Sequence, residues 1–312
     1  MIKTLQPKLA EIGKIKIGGH GEKRKGKNGD FRLPVKFNHF VVTTLEKDNN
    51  DNFKQNKTIM DKLGKEPTEI DIILCYDNIE LNFLSSLSFY SGRKCACRGD
   101  GEKAIRQFKT GKKDKKGFDI TEPKQIDCNP NTCEYLIDHK CKPNGLLSVM
   151  LPSANYIGGV YKWRTTSWNS VQNILSALTV ISTKTGGKLA GIPLTLQFAK
   201  KWTADHGNVP TVNIIFKGGD AELDKAVTKE IGRREKFKID IKRIETTAEK
   251  VGLTADNDDP GDVESEFYVQ GNEITNESKS LDLDADKFTV SGNEIIEPEI
   301  IEKKDVDVSE VL

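Results

Sequence analysis

Short apolar segments separated by polar and turn-forming residues run through the first two hundred positions of the chain. Segments of this length that are rich in β-branched and aromatic residues are typical of β-strands. On this pattern, strands are predicted at 12–17, 37–45, 70–75, 146–151, 158–166, 192–198 and 209–216. The segment 82–90 is equally apolar and fits either a strand or a helix. Between the first two strands, 18–29 is dense in Gly, Lys and Arg and is predicted to be a loop.

Helical spacing of apolar residues is clearest over 168–183. Ser167 is a suitable N-cap for that helix, and the glycine pair that begins at Gly186 can end it. A short helix is predicted at 58–63. The segment 220–251 is also helical in pattern but has many basic residues and few apolar ones, which fits an arm, a coiled-coil segment or a solvated surface helix. The chain is therefore predicted to have an α+β fold built on a mixed, largely antiparallel sheet.

Charge is divided unevenly along the chain. Of 312 residues, 36% are hydrophobic and 30% charged, and the formal net charge is +1. Residues 254–312 hold 18 Asp and Glu against four Lys, a net −14, so residues 1–253 carry +15. We predict a folded domain over 1–217, a basic helical segment over 218–253 and a disordered acidic tail over 254–312. A basic body with an acidic tail is typical of proteins that meet nucleic acid, although such a tail can also serve only for solubility.

The sequence also bears on location. No apolar run approaches the roughly 20 residues that a membrane-spanning helix needs. The N-terminal residues include lysines but lack the apolar core and the cleavage site of a secretion signal. A cytoplasmic protein without a membrane partner is predicted, in a compartment where thiols stay reduced.

Five of the six cysteines fall within 95–141, a polar segment that is poor in large apolar residues. Their spacing is C-x-C-x30-C-x4-C-x7-C, and reduced thiolates in two short clusters can complete the tetrahedral shell of one zinc ion. A structural zinc site is predicted, in a module inserted at about 91–145; the alternative is a set of unrelated free thiols. The predicted ligands are Cys97, Cys128, Cys133 and Cys141, with Cys95 as a substitute for Cys97 and His139 as a weaker alternative. Cys75, in a strand pattern, is predicted to be a small core residue.

Two groups of basic residues are candidates for contact with nucleic acid. One lies in and beside the predicted loop, and the other alternates with aromatic residues of a predicted strand. The candidates are Lys23, Arg24, Lys25, Lys27 and Arg32 in the first group, and Lys162 and Arg164, flanked by Tyr161, Trp163 and Trp168, in the second. The alternatives are a solvated surface loop and aromatic residues of the core.

Signs of an enzyme are weak. Asp100 and Glu102 lie beside the predicted metal module and could serve acid–base or second-metal chemistry. The preferred interpretation is a glycine-rich turn with a helix N-terminus, leading into 103–106, where acidic residues are favourable. The common nucleotide-binding and hydrolase motifs are absent from the sequence, so no catalytic residue is predicted.

The order of several motifs over 12–216 resembles a bacteriophage protein family. These are IGKIKIGG, LPVKFNHFVVTT, the C-x-GDGE element, CKPNGLLSVMLP, GGVYKWRTTSWNSV and GIPLTLQF. In this order they resemble the recombination directionality factor-like family, whose members are often labelled "hydrolase or metal-binding protein". Its cysteine pattern matches Cys97, Cys128, Cys133 and Cys141, which leaves Cys95 as an extra.

The resemblance implies a protein of the infected bacterial host's cytoplasm that binds a large serine integrase on DNA and switches it from integration to excision. Such control works through protein contact and needs no catalysis by the factor. Two alternatives stay open from the residues: a single-strand nucleic-acid-binding protein of phage replication, and a metal-dependent hydrolase that uses Asp100 or Glu102.

Overall fold

The protein is represented by a computed structural model, which describes residues 9–26, 29–49, 52–91, 94–115, 117, 119–138, 140–204 and 207–250. These residues form two β-sheets and several helices around a shared apolar core, which confirms the predicted α+β class. The predicted acidic tail lies outside the described residues, as do the alternative ligand His139 and the candidate Lys27.

The described strands are β1 Ala10–Gly26, β2 Gly29–Lys47, β3 Phe53–Gln55, β4 Glu69–Ile73, β5 Phe83–Ser91, β6 Lys94–Gly99, β7 Lys103–Lys113, β8 Asp119–Asp127, β9 Lys142–Val149, β10 Gly159–Thr165, β11 Pro193–Thr203 and β12 Gly207–Ile215. Seven described strands overlap the predicted segments, an eighth shows that 82–90 is a strand, and four others, β3, β6, β7 and β8, were not predicted. The larger sheet has the order β3-β2-β1-β10-β9-β5-β6-β7-β8, and the smaller one β12-β11-β4. Of the ladders between described strands, only β1–β10 is parallel, so the predicted largely antiparallel pairing is confirmed.

The core lies between the two sheets. Strand β10 contributes Tyr161 and Trp163, which are almost fully buried, and the ring of Phe40 on β2 meets that of Phe198 on β11 edge-on at 6.2 Å between centroids. Burying large aromatic and aliphatic side chains supplies the main free energy that holds the two sheets together.

The described helices are α1 Lys57–Leu63, α2 Ile79–Asn82, α3 Glu134–Ile137, α4 Trp168–Lys184, α5 Asp220–Phe237 and α6 Ile241–Lys250. Helix α4 confirms its prediction, because the hydroxyl of Ser167 accepts the amide of Ser170 at 3.4 Å and Ile174 and Leu178 are fully buried. The Ser170 hydroxyl in turn accepts the amide of Val212 at 3.1 Å, so α4 covers the free edge of β12. No described helix is long and apolar enough to cross a bilayer.

The predicted helix over 220–251 is two helices. Lys238, at a φ of 53°, ends α5, and α6 begins three residues later. Helix α5 is not fully solvated, since Leu223 and Glu230 are buried against the domain. The charged partners of Glu230, Arg233 and Arg234, lie in the same helix, but the segment at Gly191 that packs against its carboxylate is distant in sequence, so its burial was not visible there.

The prediction of a loop at 18–29 is wrong. Strand β1 continues to Gly26 and pairs with β2 up to Gly29, so the two strands form a hairpin. Backbone amides and carbonyls pair across a two-stranded ladder whatever the side chains are. A hairpin can therefore form in a segment that lacks the apolar pattern of a strand. We call the part of this hairpin from residue 18 to residue 36 the basic ribbon.

The cysteine segment also differs from expectation. Strands β6, β7 and β8 continue the larger sheet beyond β5, and thus the segment forms no separate sheet among the described residues. The helix predicted to begin near Asp100 is wrong as well, because residues from Lys103 onwards form β7. The sheet supplies backbone hydrogen bonds to a segment that lacks an apolar core of its own.

Candidate functional site

The sheet brings two predicted ligands to either side of β5. Cys97 on β6 pairs directly with Phe89, and Lys142 on β9 pairs with the adjacent Ser88, which places Cys141 beside Phe89 as well. Both cysteines are buried. Neighbouring strands are about 4.8 Å apart, so their Cα atoms lie about 10 Å from each other across β5.

Cys128 packs against β6 through a glycine. A Cβ atom on Gly99 would lie 2.8 Å from the Cys128 sulfur and 2.8 Å from the Lys103 carbonyl oxygen, so any larger residue would displace one of them. The Cys128 amide donates to the Glu102 carbonyl at 2.8 Å, which fixes the chain as it leaves β8. The space at Gly99 is thus occupied by the thiol of a predicted ligand.

The turn predicted between Cys128 and Cys133 is present. The Cys133 amide donates to the Asn129 carbonyl at 2.9 Å, and the Asn131 amide donates to the Asn129 side chain at 2.9 Å. Cys133 is the N-cap of α3. After the helix, the Cys141 amide donates a hydrogen bond to the Tyr135 carbonyl at 2.7 Å. These short loops bring Cys133 back toward the sheet that carries Cys97.

Arg106 on β7 is a cation beside the thiols that the sequence did not single out. Its guanidinium lies 3.9 Å from the Cys133 sulfur and 4.3 Å from the centroid of the Tyr135 ring. Burial opposes its charge, but a hydrogen bond to Cys97 and the nearby Tyr135 and Cys133 raise the pKa of Arg106 overall. A positive charge at this position favours thiolate over thiol.

The thiols are close enough to influence one another. Burial, together with the neighbouring Cys97, Cys133, Cys128 and Cys95, raises the pKa of Cys141 to about 12. Burial also raises the pKa of Cys128. Without a metal these two sulfurs therefore carry protons at neutral pH, and metal binding would release them.

The arrangement is not a ready-made metal site. Among the described residues, no three His, Cys, Asp or Glu side chains are placed so that they could hold a metal ion. The donor set nevertheless suits zinc in number and type, since Cys97, Cys128 and Cys133 lie near enough to Cys141 to influence its pKa, and Cys95 pairs with Tyr90 on the neighbouring strand. The Cys95 sulfur donates to the Cys97 carbonyl at 3.5 Å.

The candidate nucleic-acid residues fall into two structurally different groups. In the basic ribbon, Lys23 pairs directly with Arg32 across the ladder, and Lys25 is exposed. On β10, Lys162 forms an ion pair with Glu11 at 3.1 Å, and Arg164 donates to the Asn144 side chain at 2.9 Å. The two residues on β10 are thus engaged within the domain.

The aromatic residues beside them also differ in exposure. Tyr161 and Trp163 are buried in the core, so in this arrangement they are inaccessible to a stacking base. Trp168, at the start of α4, is half exposed.

The acidic residues of the C-x-GDGE element, Asp100 and Glu102, lie in a turn, which is the interpretation preferred from the sequence over acid–base chemistry. The Asp100 carboxylate accepts the amides of Glu102 at 2.8 Å and Lys103 at 2.7 Å. These backbone hydrogen bonds lower the pKa of Asp100. The carboxylate therefore stabilises the β6–β7 connection.

Cys75 lies away from the other cysteines. It is half buried at the end of β4 and lines a cavity of about 230 Å³ that is closed on one side by Glu230 and Arg233 of α5 and Ile241 of α6. Burial raises the pKa of Cys75 to about 11, which keeps the thiol protonated and unreactive.

Comparison with known proteins gave one match. A family model described as Gp3-like, recombination directionality factor-like, matches residues 12–217. This range covers both sheets and the cysteine segment, and ends before α5. No curated protein and no solved structure matched the chain.

Proposed function

Because the chain belongs to the recombination directionality factor-like family, we propose that it is a non-catalytic bacteriophage protein that controls DNA recombination by binding a recombinase. The observation that carries this proposal is the match over 12–217, which spans about two thirds of the chain. By resemblance, the partner is a large serine integrase, and the effect is a switch from integration to excision.

Within this function, we propose that the cysteine segment holds one structural zinc ion. Cys97, Cys128, Cys133 and Cys141 would supply four thiolates, which close the coordination shell and leave no position for a reactive water. The shell would carry a net charge of −2, and Arg106 lies where it offsets part of that charge. Binding would require these cysteines to move, because their described positions do not place three donors around one ion.

Such an ion would add a crosslink to the contacts of Tyr135 with Phe89 and Arg106, which already connect α3 to the sheet. The turn after β8 and helix α3 would be tied to β6 and to the start of β9. The described part of this segment has only a few buried apolar residues, so a metal crosslink would contribute a large share of its local stability.

The recombinase proposal is tested with purified components. The protein is combined with a large serine integrase from the genome that encodes it, and complex formation is measured by size-exclusion chromatography with light scattering. In a reconstituted reaction with the attachment-site DNAs, we expect added protein to promote excision and inhibit integration. No complex and an unchanged direction of recombination would contradict the proposal.

The zinc proposal is tested by metal content. We expect about one zinc per chain in the wild type and a loss of most of it in Cys133→Ser, with a lower melting temperature in both that variant and the chelator-treated wild type. Cys75→Ser is the matched control, because Cys75 lies apart from the cluster, and it should keep its zinc. A metal-free protein that folds with an unchanged melting temperature would show that the thiols serve another purpose.

A further inference from the structure

Among the described strands, no third strand pairs with the basic ribbon. Pairing of β1 with β10 ends at Ile15, and the first described pair of β2 with β3 is at Thr43. Between them β1 and β2 pair only with each other, from Gly18 opposite Lys36 to Gly26 opposite Gly29. At about 3.4 Å per residue, the ribbon extends roughly 30 Å beyond the sheet.

This ribbon has an unbalanced charge. Residues 18–36 contain six Lys and Arg against two acidic residues, Glu22 and Asp30. Lys25, Val35 and Lys36 are exposed to solvent. Like charges held together on an exposed ladder repel one another, and a polyanion relieves that repulsion.

The β7–β8 hairpin provides an internal comparison. It too extends beyond its neighbour, since β6 pairs with β7 only as far as Arg106. Its lysines, however, are partly neutralised within the hairpin: Lys109 pairs with Asp119 at 2.7 Å, and Lys124 with Glu122 at 2.7 Å. Residues 107–124 of this hairpin hold six Lys against three acidic residues, so it is basic as well, and its partly paired charges make it a matched comparison for the ribbon.

We propose that the basic ribbon binds duplex DNA by lying in the major groove, with its Lys and Arg side chains directed to the phosphates of both strands. The major groove is about 12 Å wide and admits a two-stranded β-ribbon, whereas the minor groove, at about 6 Å, does not. The ribbon sequence has glycine at positions 18, 19, 21, 26 and 29, and glycine within strands is typical of sites where another backbone or a ligand approaches closely.

This binding does not depend on a recombinase. In a complex of recombinase and DNA, it would give the protein a contact with the DNA in addition to its contact with the recombinase. Phosphate contacts position a protein on the duplex without reading sequence, so the ribbon is expected to bind DNA of any sequence. An acidic surface of a protein partner is the competing occupant, and the experiment below separates the two.

Binding of the full-length protein to a fluorescently labelled duplex of about 25 base pairs is measured by anisotropy, without recombinase, between 50 and 200 mM salt. The test variant replaces Lys23, Arg24 and Lys25 by Gln. The matched control replaces Lys109, Lys112 and Lys113 by Gln, on the hairpin whose charges are partly paired. Circular dichroism and melting temperature confirm that both variants are folded.

We expect the ribbon variant to lose at least tenfold in affinity at 100 mM salt. The slope of log affinity against log salt should fall by about one for each lost phosphate contact. The control variant should stay within about twofold of the wild type. Equal affinity and slope for the ribbon variant and the wild type, or an equal loss in the control, would overturn the proposal.

Dimethyl sulfate footprinting tests the groove, because guanine N7 faces the major groove. Protection of N7 by the wild type and its loss in the ribbon variant support insertion, and absence of protection overturns it. If the ribbon variant keeps its DNA affinity but no longer binds the recombinase, the ribbon contacts protein and the DNA proposal fails. If the wild type binds DNA through the ribbon but no recombinase, the proposed function fails and this inference stands.

Discussion

At the scale of residues, a buried ion pair joins α5 to the domain. The guanidinium of Arg234 donates to the Asp77 carboxylate at 2.7 and 3.0 Å, and the amides of Leu189 and Ala190 donate to the same carboxylate at 2.9 Å. The side chains of Asp77 and Arg234 are 15% and 11% exposed. Burial raises the pKa of Asp77, but its hydrogen bonds with Arg234 and the two amides outweigh this and lower it overall.

The lowered pKa makes this pair sensitive to acid. Asp77→Asn removes one of the two carboxylates paired with Arg234, while Glu230 remains at 3.1 Å, and we expect it to reduce the free energy of unfolding by about 2 kcal/mol at pH 7. Because the folded pKa lies below the ordinary value of 3.8, the stabilisation is complete above that value and is lost as pH falls through the folded pKa. Urea unfolding at pH 7 and near pH 3 should therefore show a difference that shrinks in acid.

An exposed ion pair provides the control for this prediction. Lys54 and Glu46 are 3.0 Å apart, with side chains 53% and 75% exposed. Glu46→Gln should change the free energy of unfolding by less than about 1 kcal/mol. A loss for Asp77→Asn that is equally large at both pH values would mean that packing, rather than charge, accounts for the effect.

At the scale of elements, the two C-terminal helices pack onto the matched domain although they lie beyond it. One carboxylate oxygen of Glu245 on α6 accepts the amides of Asp77 and Asn78, each at 2.7 Å, at the start of α2. Ile241 of α6 and Glu230 of α5 close the cavity beside β4. The pair of helices is therefore an attached part of the fold rather than a separate arm.

The attachment of α6 depends on that carboxylate. Glu245→Ala leaves two amides without their acceptor, and we expect it to weaken the docking of α6 by about 2 kcal/mol. Hydrogen–deuterium exchange should rise in Ile241–Lys250 and in the segment at Asp77, while the protection of α4 stays unchanged. Glu235→Ala, on the exposed face of α5, is the control and should leave exchange unaltered. Unchanged exchange in α6 of Glu245→Ala would show that apolar contacts alone hold the helix.

At the scale of the whole molecule, charge is the main asymmetry. Residues 1–253 carry +15 and residues 254–312 carry −14 in the sequence. A covalently attached polyanion competes with DNA phosphates for the same cations, and this competition weakens as salt increases.

Removal of residues 254–312 is therefore expected to raise the affinity for duplex DNA several-fold at 50 mM salt, with a smaller gain at 200 mM. Anisotropy with the same duplex measures the change. The truncated protein with Lys23, Arg24 and Lys25 replaced by Gln is the control, and it should gain much less. An equal affinity for full-length and truncated protein would mean that the acidic segment does not compete with DNA.

The sequence by itself determined the type and order of most elements. Helix α4 follows from the spacing of its apolar residues and from its Ser167 cap, and the core strands follow from their β-branched and aromatic content. The turn between Cys128 and Cys133 follows from its Asn and Pro residues. These features were predictable because each depends on residues within a few positions of one another.

Only the tertiary structure decided which distant residues meet. In the structure, the predicted loop at 18–29 is part of the basic ribbon, and Cys97 and Cys141 lie on either side of β5. Arg106 lies beside the thiols. The fold also joins Asp77 to Arg234, 157 positions away in sequence. Local patterns do not specify such pairs, because they depend on strand register and on the packing of elements that the chain brings together only when it folds.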